Sequence, residues 1–213
     1  MYQSAISFTA NGLELEGIVA KPDKPQSACP MVVLCNAHPG LFGALNNTLM
    51  DSISKVLVQA DIATLRFNYR GIGGSQGAFT NGEREAADVA AAVQLANGWP
   101  GIKKGHVGVL GYSFGAGVLL RSPEKLKGVR AAVLIAPPVS SFENAPLLRE
   151  RFPKLFILGE QDKVAPPERI KDMLAQTRGN LETRIVLKVN HSWRGGESET
   201  ALQCADFLFQ HIR

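Results

Sequence analysis

Gly111-Tyr112-Ser113-Phe114-Gly115 is the stretch of this 213-residue chain whose residue types and spacing most directly suggest chemistry. A serine in the pattern G-x-S-x-G suits a sharp turn that lifts its hydroxyl clear of the backbone, and the glycines leave room for the turn and for close packing behind it. The bland alternative is a serine that caps a helix. A serine alcohol is a weak nucleophile at neutral pH and needs a base. His106 falls at the start of an apolar run, His211 in a terminal helical stretch, and His38 beside a Pro-Gly turn. His191, in Val189-Asn190-His191-Ser192-Trp193, follows one apolar run and precedes a helical one, and it is the expected general base. An imidazole base needs a carboxylate to fix its tautomer. Gly159-Glu160-Gln161-Asp162 offers two, of which Asp162 is the expected partner and Glu160 the competitor. The order nucleophile, acid, base differs from the orders in chymotrypsin and subtilisin.

Acyl transfer by such a triad also needs backbone N–H donors for the tetrahedral oxyanion. Phe114, next after the serine, supplies one. The other is expected from Asn36-Ala37-His38-Pro39-Gly40-Leu41-Phe42-Gly43. Pro39 has no N–H, which leaves Gly40 as first candidate and Leu41 as second, with His38 shaping the loop.

These residues must be held by elements, and the elements alternate. Two short strands, Ser4 to Thr9 and Leu13 to Ala20, flank Asn11-Gly12, a strong hairpin signal. Apolar runs at Met31 to Cys35, Ile62 to Asn68, Val107 to Leu110, Ala131 to Ala136, Leu155 to Leu158 and Thr183 to Val189 read as buried strands. Helical stretches separate them, roughly Leu45 to Gln59, Glu83 to Asn97, from Ser113, Glu168 to Gln176 and Glu197 to His211. This alternation predicts one α/β domain over 1–213, with a mostly parallel sheet of about eight strands, helices on both faces and an antiparallel N-terminal hairpin. Ligands of such sheets bind outside the carboxyl ends of the strands, where all three candidate catalytic loops fall. Arg70-Gly71-Ile72-Gly73-Gly74-Ser75-Gln76-Gly77 is glycine-rich, but no helix opens directly after it and no acid closes the next strand, so a dinucleotide site is not expected. Its glycines fit a loop passing close beneath the site, with Arg70 as a structural hydrogen-bond donor.

Taken with the elbow, Ala37 to Gly43 with Asn47, Leu65 to Ser75, Ala136-Pro137-Pro138 and Gly159 to Asp162 through Pro166-Pro167, the chain resembles the α/β-hydrolase superfamily. More narrowly it resembles small bacterial members with a His-Pro oxyanion loop, akin to dienelactone-hydrolase-like proteins. The resemblance spans roughly residues 30 to 193 and implies a lidless serine hydrolase. The chain departs from it in two places: Asn36-Ala37 stands where relatives often carry a first His-Pro pair, and Asn190 precedes His191 where they often carry Asp. A serine at 113, where the usual dienelactone hydrolase has cysteine, argues against that narrow activity.

Composition narrows the rest. Hydrophobic residues make up 45% and charged residues 20%, ordinary values that exclude a disordered or coiled-coil chain. The net charge of +4 is scattered, so no nucleic-acid partner is expected. There is no apolar run long enough for a membrane span, no signal-peptide pattern at the start, and three cysteines without metal-ligand spacing. A cytoplasmic enzyme without metal or organic cofactor is expected, and its oligomeric state is not readable. About fifteen residues separate Pro138 from Leu155, a connection too short for a lid domain. An open site favours small, short-acyl esters as substrates, and activity is expected to fall in acid as His191 takes up a proton. Thioesters, lactones and amides use the same triad, and a non-catalytic binding protein on the same fold is the alternative from another class. Tyr112, Phe114, Leu41, Phe42, Phe142 and Trp193 are the candidate walls of an acyl pocket.

Overall fold

Alternating side chains draw the first two strands into a hairpin. β1 (Tyr2–Ala10) pairs antiparallel with β2 (Leu13–Lys21), in register from Tyr2↔Lys21 to Ala10↔Leu13. Asn11 and Gly12 join them with φ of 50° and 81°, the left-handed pair that a tight hairpin turn needs. The computed structural model describes residues 2–23, 28–42, 45–122 and 126–213 and, within these, not the side chains of Leu41 and Phe42.

From there strands and helices alternate. β3 (Cys29–Cys35) is buried along its whole length, as a strand covered on both faces must be. A single turn, α1 (Pro39–Phe42), precedes α2 (Thr48–Gln59), which starts where the Asn47 side chain accepts a hydrogen bond from the Met50 N–H at 3.1 Å. β4 (Ala63–Phe67), α3 (Glu85–Gly98), β5 (Ile102–Tyr112) and α4 (Phe114–Arg121) follow. Then come β6 (Val129–Ile135), β7 (Lys154–Gly159), α5 (Pro167–Ala175), β8 (Leu181–Val186) and α6 (Glu197–Ile212).

All eight strands form one sheet in the order β1-β2-β4-β3-β5-β6-β7-β8. β2 meets β4 antiparallel, and every pairing from β4 to β8 is parallel. Helices cover both faces; α2 packs on α6 and α3 on α4. The reversal of strand order around β3 places the ends of β3 and β5 side by side, with Cys35 opposite Gly111. This is the crevice where sheets of this kind hold ligands.

Several boundaries differ from the expectation by a few residues, and two of the shifts have a visible cause. β5 begins at Ile102, since Ile102 pairs with Cys29 before the register shifts toward Met31↔Val107. β8 stops at Val186, because the chain turns at Lys188 (φ 58°) and the Glu160 carboxylate accepts the Lys188 N–H at 2.8 Å. The connection after β6 carries only two one-turn 3-10 helices, Val139–Phe142 and Pro146–Arg149, so no lid is inserted there. Among the described residues no helix is long and apolar enough to cross a membrane.

Candidate active site

β5 runs into α4 through one residue, Ser113, whose φ of 50° and ψ of −107° place it in a region that costs a non-glycine residue energy. The surroundings hold it there. The Ser113 N–H donates to the Ile135 carbonyl at 2.8 Å, and the Ser113 carbonyl accepts from the Gly117 N–H at 3.0 Å. The flanking glycines let backbone approach backbone. A Cβ on Gly115 would stand 2.2 Å from the Cys35 carbonyl oxygen, and one on Gly111 2.5 Å from the Ala116 nitrogen. The G-x-S-x-G spacing thus follows from the close packing of the β5–α4 turn on the end of β3.

Ser113, Asp162 and His191 come together from three strand ends. Ser113 Oγ lies 2.9 Å from His191 Nε2, and His191 Nδ1 lies 2.7 Å from Asp162 Oδ2. All three are buried. Asp162 is fixed by its own turn, since its Oδ1 accepts the Val164 and Ala165 N–H groups at 2.9 and 2.8 Å. One oxygen is therefore committed to the backbone and the other to His191. With the carboxylate accepting, Nδ1 carries the proton and Nε2 faces the serine as an acceptor. Glu160, the competing acid, points elsewhere and staples the turn after β8.

The loop that carries His191 is held from below. The Tyr112 hydroxyl donates to the His191 carbonyl at 2.5 Å, and Asn190 Oδ1 accepts from the Ser192 N–H and hydroxyl at 3.0 and 2.8 Å. Burial pushes the Tyr112 hydroxyl pKa well up, with the negative charges of Asp162 and Glu197 adding to the effect, so it stays a protonated donor. Tyr112 and Trp193 were expected as pocket walls. At 1% and 0% exposure they present no surface to a substrate, and their rings meet edge-to-face at 6.5 Å beneath the His191 loop. Phe142 is also displaced from the expected role. It stacks on Phe156 at 6.1 Å and lines a separate depression with Arg149 and Gln176. The wall expected from the Phe42 and Leu41 side chains lies outside the described residues.

The loop with the second candidate oxyanion donor meets the elbow through His38, whose ring lies edge-to-face on Phe114 at 5.7 Å. Phe114 opens α4, where the first amides have no carbonyl partner within the helix. Gly40 lies in α1, and its N–H donates to His38 Nδ1 at 3.1 Å, which fixes the His38 tautomer with its proton on Nε2. Leu41 follows in the same turn. His106 sits at the opposite end of the sheet, its Nδ1 2.9 Å from the Ile212 carbonyl.

An open cleft of about 730 Å³ runs beside the acid and base, lined by Glu160, Lys163, Val164, Asn190, His191 and Ser192 among others. A ring from the loop between β4 and α3 packs on the side of the elbow. Phe79 was missed by the sequence reading; its ring packs on His38 at 5.2 Å and on Phe114 at 5.3 Å. Only the glycine-rich loop before it hinted that this segment returns to the site. Arg70 has the structural role expected of it, with its guanidinium on Asp88 at 2.6 Å in a buried pair.

The family model of the X-Pro dipeptidyl-peptidases (S15 family) matches residues 11–176. The chain belongs to that family. The chain is also 28% identical over 209 residues to an uncharacterized protein of Rickettsia prowazekii, covering 93% of this chain and 86% of that one. A solved α-β serine hydrolase homologue from Coxiella burnetii superposes with a TM-score of 0.84 at 26% identity, covering 98% of each chain. A serine hydrolase without lid from Xanthomonas campestris gives a TM-score of 0.80 at 22% identity over 98% of this chain and 94% of that one, a likeness of fold. The S15-family chain is thus an α/β-hydrolase of the serine type.

Proposed function

We propose that this S15-family chain hydrolyses small carboxylic esters through an acyl-enzyme on Ser113. The observation that carries the reading is the hydrogen-bonded line from Ser113 through His191 to Asp162, set on a strained elbow beside an open cleft. His191 Nε2 takes the Ser113 proton as Oγ attacks the ester carbonyl carbon. The carbonyl oxygen becomes an oxyanion held by the Phe114 N–H and by a donor of the Gly40–Leu41 turn. An oxyanion is a stronger acceptor than a neutral imidazole, so it draws the Gly40 amide away from His38 Nδ1. The carbon–oxygen bond to the alcohol breaks, and the alcohol leaves with the proton from His191. Water, deprotonated by the same nitrogen, then attacks the acyl-enzyme. The acid departs, and the proton returns to Ser113.

The name of the family favours a second reading, release of an X-Pro dipeptide from a peptide amide. Such an enzyme must hold a substrate ammonium; the exposed acid lining the cleft, Glu160, has one oxygen on the Lys188 N–H and lies beside Lys163, a like charge to that ammonium. The test compares p-nitrophenyl acetate with an X-Pro dipeptide p-nitroanilide, each with the wild type and Ser113→Ala. Ester turnover that disappears in Ser113→Ala, without anilide turnover, supports the proposal. Anilide turnover at comparable kcat/KM replaces it with the second reading, and ester turnover that survives in Ser113→Ala refutes the role of the serine.

A further inference from the structure

The loop between β4 and α3 is braced far more heavily than a surface connection needs. Arg70 and Asp88 form a buried pair in which the carboxylate also accepts the Arg70 N–H at 3.0 Å. Glu85 is fully buried and spends its carboxylate on the same loop. It accepts from the Thr80 N–H at 2.7 Å, from the Thr80 hydroxyl at 2.9 Å and from the Gly82 N–H at 2.7 Å. Burying a carboxylate is costly unless every lone pair finds a donor. Gly71, with φ of 71°, lets the two arms of the loop touch: a Cβ there would stand 2.5 Å from the Phe79 nitrogen. Phe79 is pinned on one side by Gly71 and on the other by Thr80 on Glu85.

What this bracing delivers is one half-buried ring. It lies edge-to-face on His38, and tilted on Phe114 with an interplanar angle of 50°. These two residues belong to the two arms that carry the candidate oxyanion donors. The position of His191 Nε2 beside Ser113 bears on which part of a substrate meets it. The leaving alcohol must be within reach of His191 Nε2, so it lies toward the cleft lined by Lys163, Asn190 and Ser192. The acyl group extends the other way, toward the Phe79 side.

We propose that Phe79 is the residue that sets acyl-group size, its ring closing the acyl side of the site against long chains. The proposal rests on the reading of Ser113 as nucleophile. Its test therefore uses a reagent that depends on that nucleophile and not on ester against amide. The second-order rates of inactivation by methyl, butyl and octyl fluorophosphonates are measured for the wild type, Phe79→Leu and Phe79→Ala, with Ser113→Ala as control and Tm recorded for each. The alkyl group of the reagent occupies the acyl side. Each methylene newly accommodated against apolar surface gives about a fourfold gain, so the octyl-to-methyl rate ratio should rise at least about tenfold in Phe79→Ala, with Phe79→Leu in between. A ratio within about twofold of wild type, or a lower one, in a folded variant that still reacts with the methyl reagent overturns the proposal alone. Absence of reaction in the wild type, or reaction that survives in Ser113→Ala, overturns the reading of the site and this proposal with it. Should Phe79→Ala fail to fold, the direction of the change in Phe79→Leu decides.

Discussion

Replacing Asp162 by asparagine separates the two jobs of its carboxylate. Oδ1 accepts two backbone N–H groups of its own turn, while Oδ2 accepts the His191 Nδ1 proton. Asn keeps a carbonyl oxygen for the turn but presents an NH₂ to His191. The imidazole then accepts at Nδ1, and its proton moves to Nε2, where it faces Ser113 Oγ and cannot take a proton from it. A base held in the wrong tautomer costs about 10⁴ in kcat, or about 5 kcal/mol of transition-state stabilisation. Stability should change little, by about 1 kcal/mol, because the turn stays bonded. Asp162→Ala loses both jobs. Two charge-assisted hydrogen bonds disappear and two amides are left unpaired, which costs about 3 kcal/mol and lowers Tm by about 9 °C in a chain of this size. The assay is p-nitrophenyl acetate turnover beside thermal unfolding of wild type, Asp162→Asn and Asp162→Ala. An Asn variant that keeps more than about a tenth of wild-type kcat refutes the tautomer argument. An Ala variant as stable as the Asn variant refutes the account of the turn.

Three other perturbations test the support of the site. Tyr112→Phe removes the hydroxyl that holds the His191 carbonyl; Tm should fall by about 3 °C and kcat about tenfold, measured by the same two assays. Gly115→Ala would force a methyl to within 2.2 Å of the Cys35 carbonyl oxygen, so soluble yield and Tm should both fall, by at least about 3 kcal/mol of stability. Burial alone would raise the Glu85 pKa, but the hydrogen bonds from Thr80 and Gly82 outweigh it and hold the carboxylate below its ordinary value of 4.5. A depressed folded-state pKa gives stability that is present above the unfolded value and is lost as pH falls through the folded one. Tm should therefore drop more steeply for wild type than for Glu85→Gln between about pH 5 and pH 3, and parallel profiles would count against the brace.

Much of this architecture is legible because periodicity and turn chemistry are local. Asn11-Gly12 can make little else than a tight turn, and the run Cys29 to Cys35 has no polar face to leave in water. The triad was legible for a related reason. A serine between two glycines, an acid in a turn and a histidine in a loop each followed an apolar run, and a parallel sheet gathers such loops at one edge. Strand ends were less legible, since β8 is cut short by a bond from Glu160, 28 residues away from Lys188.

The walls of the site were the part that local reasoning missed, and the reason is packing. An aromatic residue near a catalytic motif in sequence has two ways to point, and the motif does not say which. Tyr112 and Trp193 both point inward, because the strained elbow and the His191 loop need support from beneath more than they need another wall. The wall came instead from Phe79, more than thirty residues before the nucleophile. Its position depends on Gly71, Thr80 and Glu85 acting together, and the last of these reads in the sequence as an ordinary acid in the first turn of a helix. A buried acid whose carboxylate accepts from Thr80 and Gly82 of one short loop indicates in this fold that the loop is placed for a purpose. That purpose is tested at the ring the loop carries, and the steeper acid unfolding expected of wild type over Glu85→Gln is its thermodynamic trace.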